Sequence, residues 1–421
     1  MGRGMSRRAW ALVAAVFILS RAWLLFAYSP AYSDLRLYFQ FYQIFTDVLA
    51  KGGDFFATIE FEYPPLALPA IVLPGSAASL FGPVTEASYG FAFRTAMLLA
   101  DLALLLLMPR LVRALRPEAD ALAVARGTAA YLVLPLAAPD LVYDRLDLAV
   151  ALGMALSLAA LAGGRRRSGV FLLGVTAAFK LAPLLIAAPV GLYLWATCRS
   201  KREAFIEAGC GLVGLIGGFA PFLAASGSEV LRFLHYQTAR GLQIESLPAS
   251  LGLLAGRFGF PARAVEEARA ISVVFAGSER LGGMWTLAGV AALLALAFYG
   301  WRRRAVFADR RRGFAFLTAM SLLFLGLGVA ASKVFSPQYL LWLLPFAALV
   351  PVEAKSWRIA VGAFFLVLLL TRLVFPHFLV ELVTLRPSGV WLLIARNLVF
   401  VSYLVLLFRS LRAGVSDGKA G

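Results

Sequence analysis

Apolar residues in this chain run in long blocks rather than alternating with polar ones. Trp10 to Tyr28, Ala92 to Met108, Ala204 to Leu223, Gly283 to Tyr299, Phe314 to Ala331, Ile359 to Phe375 and Val390 to Phe408 are nearly free of charge. An apolar helix of about 18 residues or more reaches across a hydrocarbon core of roughly 30 Å, so these blocks predict membrane spans. The lack of strict alternation argues against an outer-membrane barrel. Shorter apolar runs at Thr128 to Pro139, Leu148 to Leu161 and Tyr339 to Val350 predict short crossings.

Two stretches depart from this pattern. Pro64 to Phe81 is apolar but contains Pro64, Pro65, Pro69 and Pro74, and proline disrupts the helical hydrogen-bond ladder. If the arginines after Met108 lie inside, this stretch begins and ends outside, so residues 64–82 are expected to be re-entrant. The interval from Arg167 to Arg199 is basic at both ends and too short for two full spans. It predicts a hairpin of short helices broken near "KLAP", with Lys180 carried into the membrane. The expectation is an all-α polytopic membrane protein, one integral membrane domain over 1–421. It would form a bundle of about 10–13 transmembrane or re-entrant helices. No soluble domain, short repeat or low-complexity linker is evident.

Composition agrees, with 61% hydrophobic and only 15% charged residues among 421. The formal charge of +17 comes from 40 Lys and Arg against 23 Asp and Glu. The arginines cluster between apolar runs, as in Arg165 to Arg167, Arg199 to Glu203, "WRRR" from Trp301 and "DRRRG" from Asp309. Threading puts every such cluster on one side, the positive-inside pattern with some attraction to anionic lipid; it excludes a nucleic-acid partner. Both termini, including a tail over 409–421, are then cytoplasmic, while a first loop at 30–63 and a larger segment at 224–282 are extracytoplasmic. The start "MGRGMSRRAWALVAAVFILSRAW" mimics a signal peptide but lacks a small-residue cleavage site, so it is expected to stay as the first helix. Cys198 and Cys210 offer neither a disulfide framework nor a metal-ligand spacing.

Side chains with chemistry gather on the outer side. In "YSDLRLYFQFYQIF", Ser33 or Asp34 caps an amphipathic interfacial helix on which Asp34, Tyr38 and Tyr42 share a face. Asp34 is either part of that cap and aromatic belt, or a base or sugar-hydroxyl ligand. Glu62 and Tyr63 precede the Pro64–Pro65 step. "YDRLD" brings Asp144, Arg145 and Asp147 together, for mutual salt bridges or for substrate. Lys180 has no acid adjacent in sequence, and an intramembrane lysine needs a counter-charge or a cavity. "HYQTARGLQIES" supplies His235, Tyr236, Gln237, Arg240, Gln243 and Glu245; Arg240 suits a phosphate, and Glu245 either orients it or binds a hydroxyl. "SKVFSPQYLLWLLP" adds Lys333, Ser336, Gln338 and Tyr339. Cations and carboxylates on one face suit a ligand with a lipid tail, an anionic phosphate and a polar head.

The order of these features, an external Asp34, a downstream "YPP", "KLAP" and "SPQYLLWLLP", resembles the integral-membrane GT-C glycosyltransferases from Asp34 to Pro345. Within them it is most similar to family 87, bacterial mannosyltransferase-like proteins. The resemblance implies a GT-C bundle in the bacterial plasma membrane, an extracytoplasmic active site and a polyprenyl-phosphate sugar donor. A hexose, here mannose, would pass with inversion to a lipid or glycan acceptor. Asp34 matches the first-loop acid that deprotonates the acceptor hydroxyl. The leaving phosphate calls for Arg240, Lys180 and Lys333, in that order. Glu62, Tyr63, Tyr38, Asp144, Arg145, His235, Gln243, Glu245, Gln338 and Tyr339 form the expected substrate-binding set. Some GT-C families carry paired acids in this loop; here Asp34 stands alone, with Arg36 after it, so no metal or cofactor is expected, and Glu62 is the alternative base. The rival reading, a transporter or flippase for a lipid-linked or anionic substrate, predicts midplane ionisable residues and inverted repeats. The sequence offers Lys180 as its clear midplane candidate and no repeat. A structural or assembly protein would leave the outer clusters without a ligand.

Overall fold

A computed structural model describes residues 5–30, 32–117, 119–267, 269–350 and 355–416. Arg3 of the basic start and residues 417–421 of the expected tail lie outside them. Among the described residues, seven helices are long and apolar enough to cross a membrane. They are Arg7–Ala27, Glu86–Leu115, Lys201–Ala239, Ser278–Arg302, Arg310–Ala331, Lys355–His377 and Pro387–Ala413, one for each long apolar run. The protein is an all-α polytopic membrane protein. Polar residues flanking the runs start the helices: the Ser6, Ser200 and Asp309 side chains each accept from a first-turn N–H, and Thr85 with Ser88 makes a capping box. The last helix continues to Ser416, so the tail expected from 409 begins as helix.

Shorter helices fill the gaps. Ala67–Ser79 has 13 residues, about 20 Å at 1.5 Å per residue, too short to cross a core of about 30 Å. It packs against Leu35–Ala50 and the first turns of Glu86–Leu115, where the Tyr89 hydroxyl donates to the carbonyl of Ile71 at 2.8 Å. The stretch expected to break near "KLAP" does so: Arg166–Phe179 ends at Lys180, whose backbone is extended, and Ala182–Ile186 and Ala187–Thr197 follow. Arg166–Phe179 lies unusually close to Lys201–Ser226. A Cβ at Gly174 would meet the Gly211 carbonyl and one at Gly214 the Phe171 carbonyl, so small residues set this crossing.

Three features add to or differ from expectation. Segment 224–282 holds helices Arg232–Ala239 and Leu247–Gly256 and an antiparallel hairpin, Ala262–Glu267 with Ala270–Phe275. The Leu35–Ala50 helix is no exposed aromatic belt, because Tyr38 and Tyr42 are buried against the bundle. Lys180 is also not alone in the membrane region. Arg21 and Asp101 are buried there as a pair at 2.9 Å, and Asp101 accepts from the Tyr131 and Tyr143 hydroxyls at 2.7 Å each. Arg21 donates in turn to the Leu132 carbonyl at 2.9 Å. This knot ties the first helix into the bundle.

The basic clusters meet at one end. Arg310 donates to the Ala162 carbonyl and Arg166 to that of Thr197, at 2.8 and 2.9 Å. Cys198, Glu203 and Glu207 gather there as well, a grouping the sequence spacing did not reveal. Arg166 already supplies their positive charge, 3.9 Å from Glu203 and 4.0 Å from Glu207.

Candidate active site

Helix Asp147–Ala162 runs from that basic end to a cavity of about 540 Å³ at the other. Its walls come from distant parts of the chain: Tyr32 to Asp34, Glu62 to Pro64, Arg145, Lys180 to Ala182, Tyr236, Gln237, Arg240, Gln243 to Glu245, Arg269 to Ile271, Ser336 to Tyr339, Trp342 and Phe375.

Asp34 occupies the N-cap position of Leu35–Ala50 but makes no capping bond; Ser33 does that, its hydroxyl accepting from the Leu35 N–H at 3.1 Å. The Asp34 carboxylate instead faces the cavity in an ion pair with Arg145. First-loop aromatics hold this wall in place. Phe41 and Phe61 have centroids 5.2 Å apart, and Phe56 meets Phe222 of the long helix at 5.9 Å. The Ser226 hydroxyl donates to Asp54 at 2.8 Å across the same seam.

Lys180 finds the counter-charge the sequence did not reveal. Asp147 Oδ1 lies 2.7 Å from its ammonium and accepts from the Trp342 indole at 2.6 Å. The rings of Tyr63, Tyr339 and Trp342 surround the ammonium at 5.4 to 5.6 Å. Glu62 lies 3.9 Å from Arg269, a residue the sequence reading missed. Arg269 sits in the tight hairpin turn with φ at 55°, which aims it back at the first loop and over the Phe41 ring. With Arg145, Lys180 and Arg269 facing carboxylates, Arg240 remains. Among the described residues it has no carboxylate in ion-pair range, and it lies 5.9 Å from the Tyr236 ring centroid. Among the described residues, Arg240 is therefore a cavity cation without a balancing acid.

Glu245 is its counterpart among the acids. Its side chain is buried, lines the cavity, and its Oε1 has no hydrogen-bond partner among the described residues. Burial pushes its carboxyl up to about 7, against the opposing pull of Arg396 and Arg145. An acid raised in the fold holds its proton more tightly folded than unfolded. It is therefore without penalty below about pH 4.5, and the penalty grows to about 3 kcal/mol as pH rises to about 7. Glu245→Gln removes that titration. Its melting temperature relative to the parent protein should thus rise between pH 5 and pH 8, which thermal unfolding in nanodiscs measures; a pH-independent difference would contradict the assignment.

The remaining expected residues sit behind or beside the cavity. Tyr38 is buried behind Tyr63, their hydroxyls 3.3 Å apart. Asp144 is held by Arg94 through two bonds of 2.7 and 3.0 Å and does not reach the cavity. His235 is exposed outside it. Lys333 does not line it either: its ammonium donates to the Thr238 carbonyl at 2.8 Å, and its own carbonyl accepts from the Gln243 N–H at 3.0 Å. Burial and the neighbouring Arg240 hold the Lys333 ammonium below its ordinary pKa. Asp34, Glu62, Tyr63, Arg145, Lys180, Arg240, Gln243, Glu245, Gln338 and Tyr339 do come together.

The chain is thus a multi-pass helical bundle with a charged, aromatic-walled cavity at one end. Residues 61–330 match glycosyltransferase family 87, and the chain belongs to that family. The fold is similar to the crystal structure of ArnT from Cupriavidus metallidurans bound to undecaprenyl phosphate, with a TM-score of 0.50 and 16% identity. That likeness covers 96% of this chain and 77% of the other. No curated protein matches the chain.

Proposed function

We propose that the protein transfers a hexose, mannose, from a polyprenyl-phosphate donor to a lipid or glycan acceptor on the extracytoplasmic side, with inversion. The observation that carries this reading is the pairing of opposites in one cavity: a carboxylate not spent on capping, Asp34, and a cation without an acid, Arg240. The undecaprenyl phosphate bound to ArnT supports a donor of the same lipid class. Sidedness is supported by the basic loops, which collect at the end opposite the cavity and are retained in the cytoplasm by the positive-inside rule.

In this reading Asp34 takes the proton of the acceptor hydroxyl as the oxygen attacks the anomeric carbon. Arg145 fixes the carboxylate against the wall. The bond from the anomeric carbon to the phosphate oxygen breaks, and the electron pair leaves with the phosphate. Arg240, with Arg269 beside Glu62, receives the charge on that phosphate. Lys180, already facing Asp147 and three rings, adds positive potential from the "KLAP" break. Lys333 acts through the loop it braces.

Purified protein in nanodiscs, given labelled polyprenyl-phosphate mannose and candidate lipid acceptors, should move label to the acceptor; no transfer from any polyprenyl-phosphate hexose would refute the reading. The ranking of cations is tested in the same assay. Arg240→Ala should lower kcat/KM by about 10²–10³-fold, the usual loss when a charge-stabilising donor is removed. Lys333→Ala should cost far less; equal losses would contradict the ranking.

A further inference from the structure

Three cavity-lining side chains are buried yet hold a polar atom without a partner among the described residues: Gln243 Oε1, Glu245 Oε1 and Arg145 Nε. Buried polar groups in folded proteins are almost always hydrogen-bonded, so three orphans in one cavity point to a bound partner. Two are acceptors, and a phosphate ester carries no hydrogen to give them; a sugar hydroxyl does. The third is a donor that a hydroxyl oxygen accepts. Neighbouring hydroxyls on one ring supply both roles at once.

The backbone that carries the two acceptors is fixed. The Gln243 N–H donates to the Lys333 carbonyl at 3.0 Å, and the Ile244 N–H to that of Ile271 at 2.8 Å. The buried Arg396 donates to the Glu245 carbonyl at 2.8 Å, and its guanidinium lies 4.0 Å from the centroid of the Phe335 ring. The Asn397 amide reaches the carbonyls of Glu245 and Ser246 at 3.4 Å. The Ser246 N–H donates to the Gln243 carbonyl at 2.9 Å and closes a tight turn over 243–246, from which Gln243, Ile244 and Glu245 all line the cavity, Ile244 also packing with Leu242 and Val273.

We propose that Gln243 and Glu245 form the hydroxyl-reading subsite that selects the transferred hexose, each accepting one sugar hydroxyl, with Arg145 Nε donating to a neighbouring oxygen. This rests on the sugar-transfer reading and adds to it the residues that set sugar specificity. It also separates two roles in one cavity: Asp34 removes a proton, whereas Glu245 recognises the ring.

The test compares the parent protein with Gln243→Ala and Glu245→Ala in nanodiscs. Transfer is measured from polyprenyl-phosphate mannose and from its mono-deoxy analogues, alongside calorimetric binding of octyl mannoside and its deoxy series. A site built to bond a hydroxyl rejects the analogue lacking it, by up to about 10⁴-fold. Each variant should shrink the preference over one deoxy analogue by about tenfold or more, leaving that analogue's own kcat/KM nearly unchanged. An equal loss on all donors, or unchanged ratios in an active enzyme, would overturn the proposal and leave the transfer reading standing. Selective hexoside binding lost in the variants, without transfer from any polyprenyl-phosphate sugar, would uphold the subsite and refute the transfer. Neither binding nor transfer would overturn both.

Discussion

Asp34→Asn should cut transfer by about 10²–10⁴-fold while leaving donor affinity and expression near the parent's, as expected for a lost general base. The geometry makes this a sharp test. Asp34 makes no capping bond, since Ser33 supplies it, so the amide should not unwind Leu35–Ala50. The Asp34 side chain is only partly buried, and its partner Arg145 keeps other polar neighbours, including Glu245. The loss should fall on kcat, with the donor KM little changed. Matching losses in Asp34→Asn and Glu62→Gln would point to shared electrostatics, and full activity in Asp34→Asn with loss in Glu62→Gln would move the base to Glu62.

The largest effect on stability should come from the last turn of the first helix, where Arg21 lies. Asp101→Ala leaves Arg21 buried with no counter-charge and strips the Tyr131 and Tyr143 hydroxyls of their acceptor. Breaking a buried pair from one side typically costs about 3–5 kcal/mol, because the surviving charge stays desolvated. Thermal unfolding in nanodiscs should show a large drop for Asp101→Ala. The double variant Arg21→Met with Asp101→Leu should recover much of it, since no lone charge remains. A double variant no more stable than Asp101→Ala would indicate that the tyrosine network, rather than the ion pair, carries the stability.

How much of this was legible in the sequence follows from range. The long spans were legible because run length alone identifies them, and the break at "KLAP" because Pro183 and two basic flanks bound a short interval. Lys180 was visible as an intramembrane cation, but its partner Asp147 lies 33 residues upstream and meets it only when two helices pack. Arg269 was hidden for a similar reason: it reaches Glu62 only through the turn of a hairpin inside a segment with no span. The "ARAVEE" before it alternates only over Ala262 to Ala264, so the strand gave little signal. The buried Arg21 and Arg396 stood in plain view inside apolar runs, where an arginine always needs a partner. Lys333 and Asp144 lie beside the cavity without lining it. Loop register then decided that Lys333 braces the 238–243 segment and that Asp144 turns to Arg94.

The measurement that bears most directly on the whole account is the anomeric configuration of the linkage formed from polyprenyl-phosphate mannose, read by NMR on the product of the nanodisc enzyme. A single displacement, driven by one carboxylate and completed by a phosphate leaving toward Arg240, predicts a product inverted relative to the donor. A product of retained configuration, or none from any polyprenyl-phosphate hexose, would contradict it.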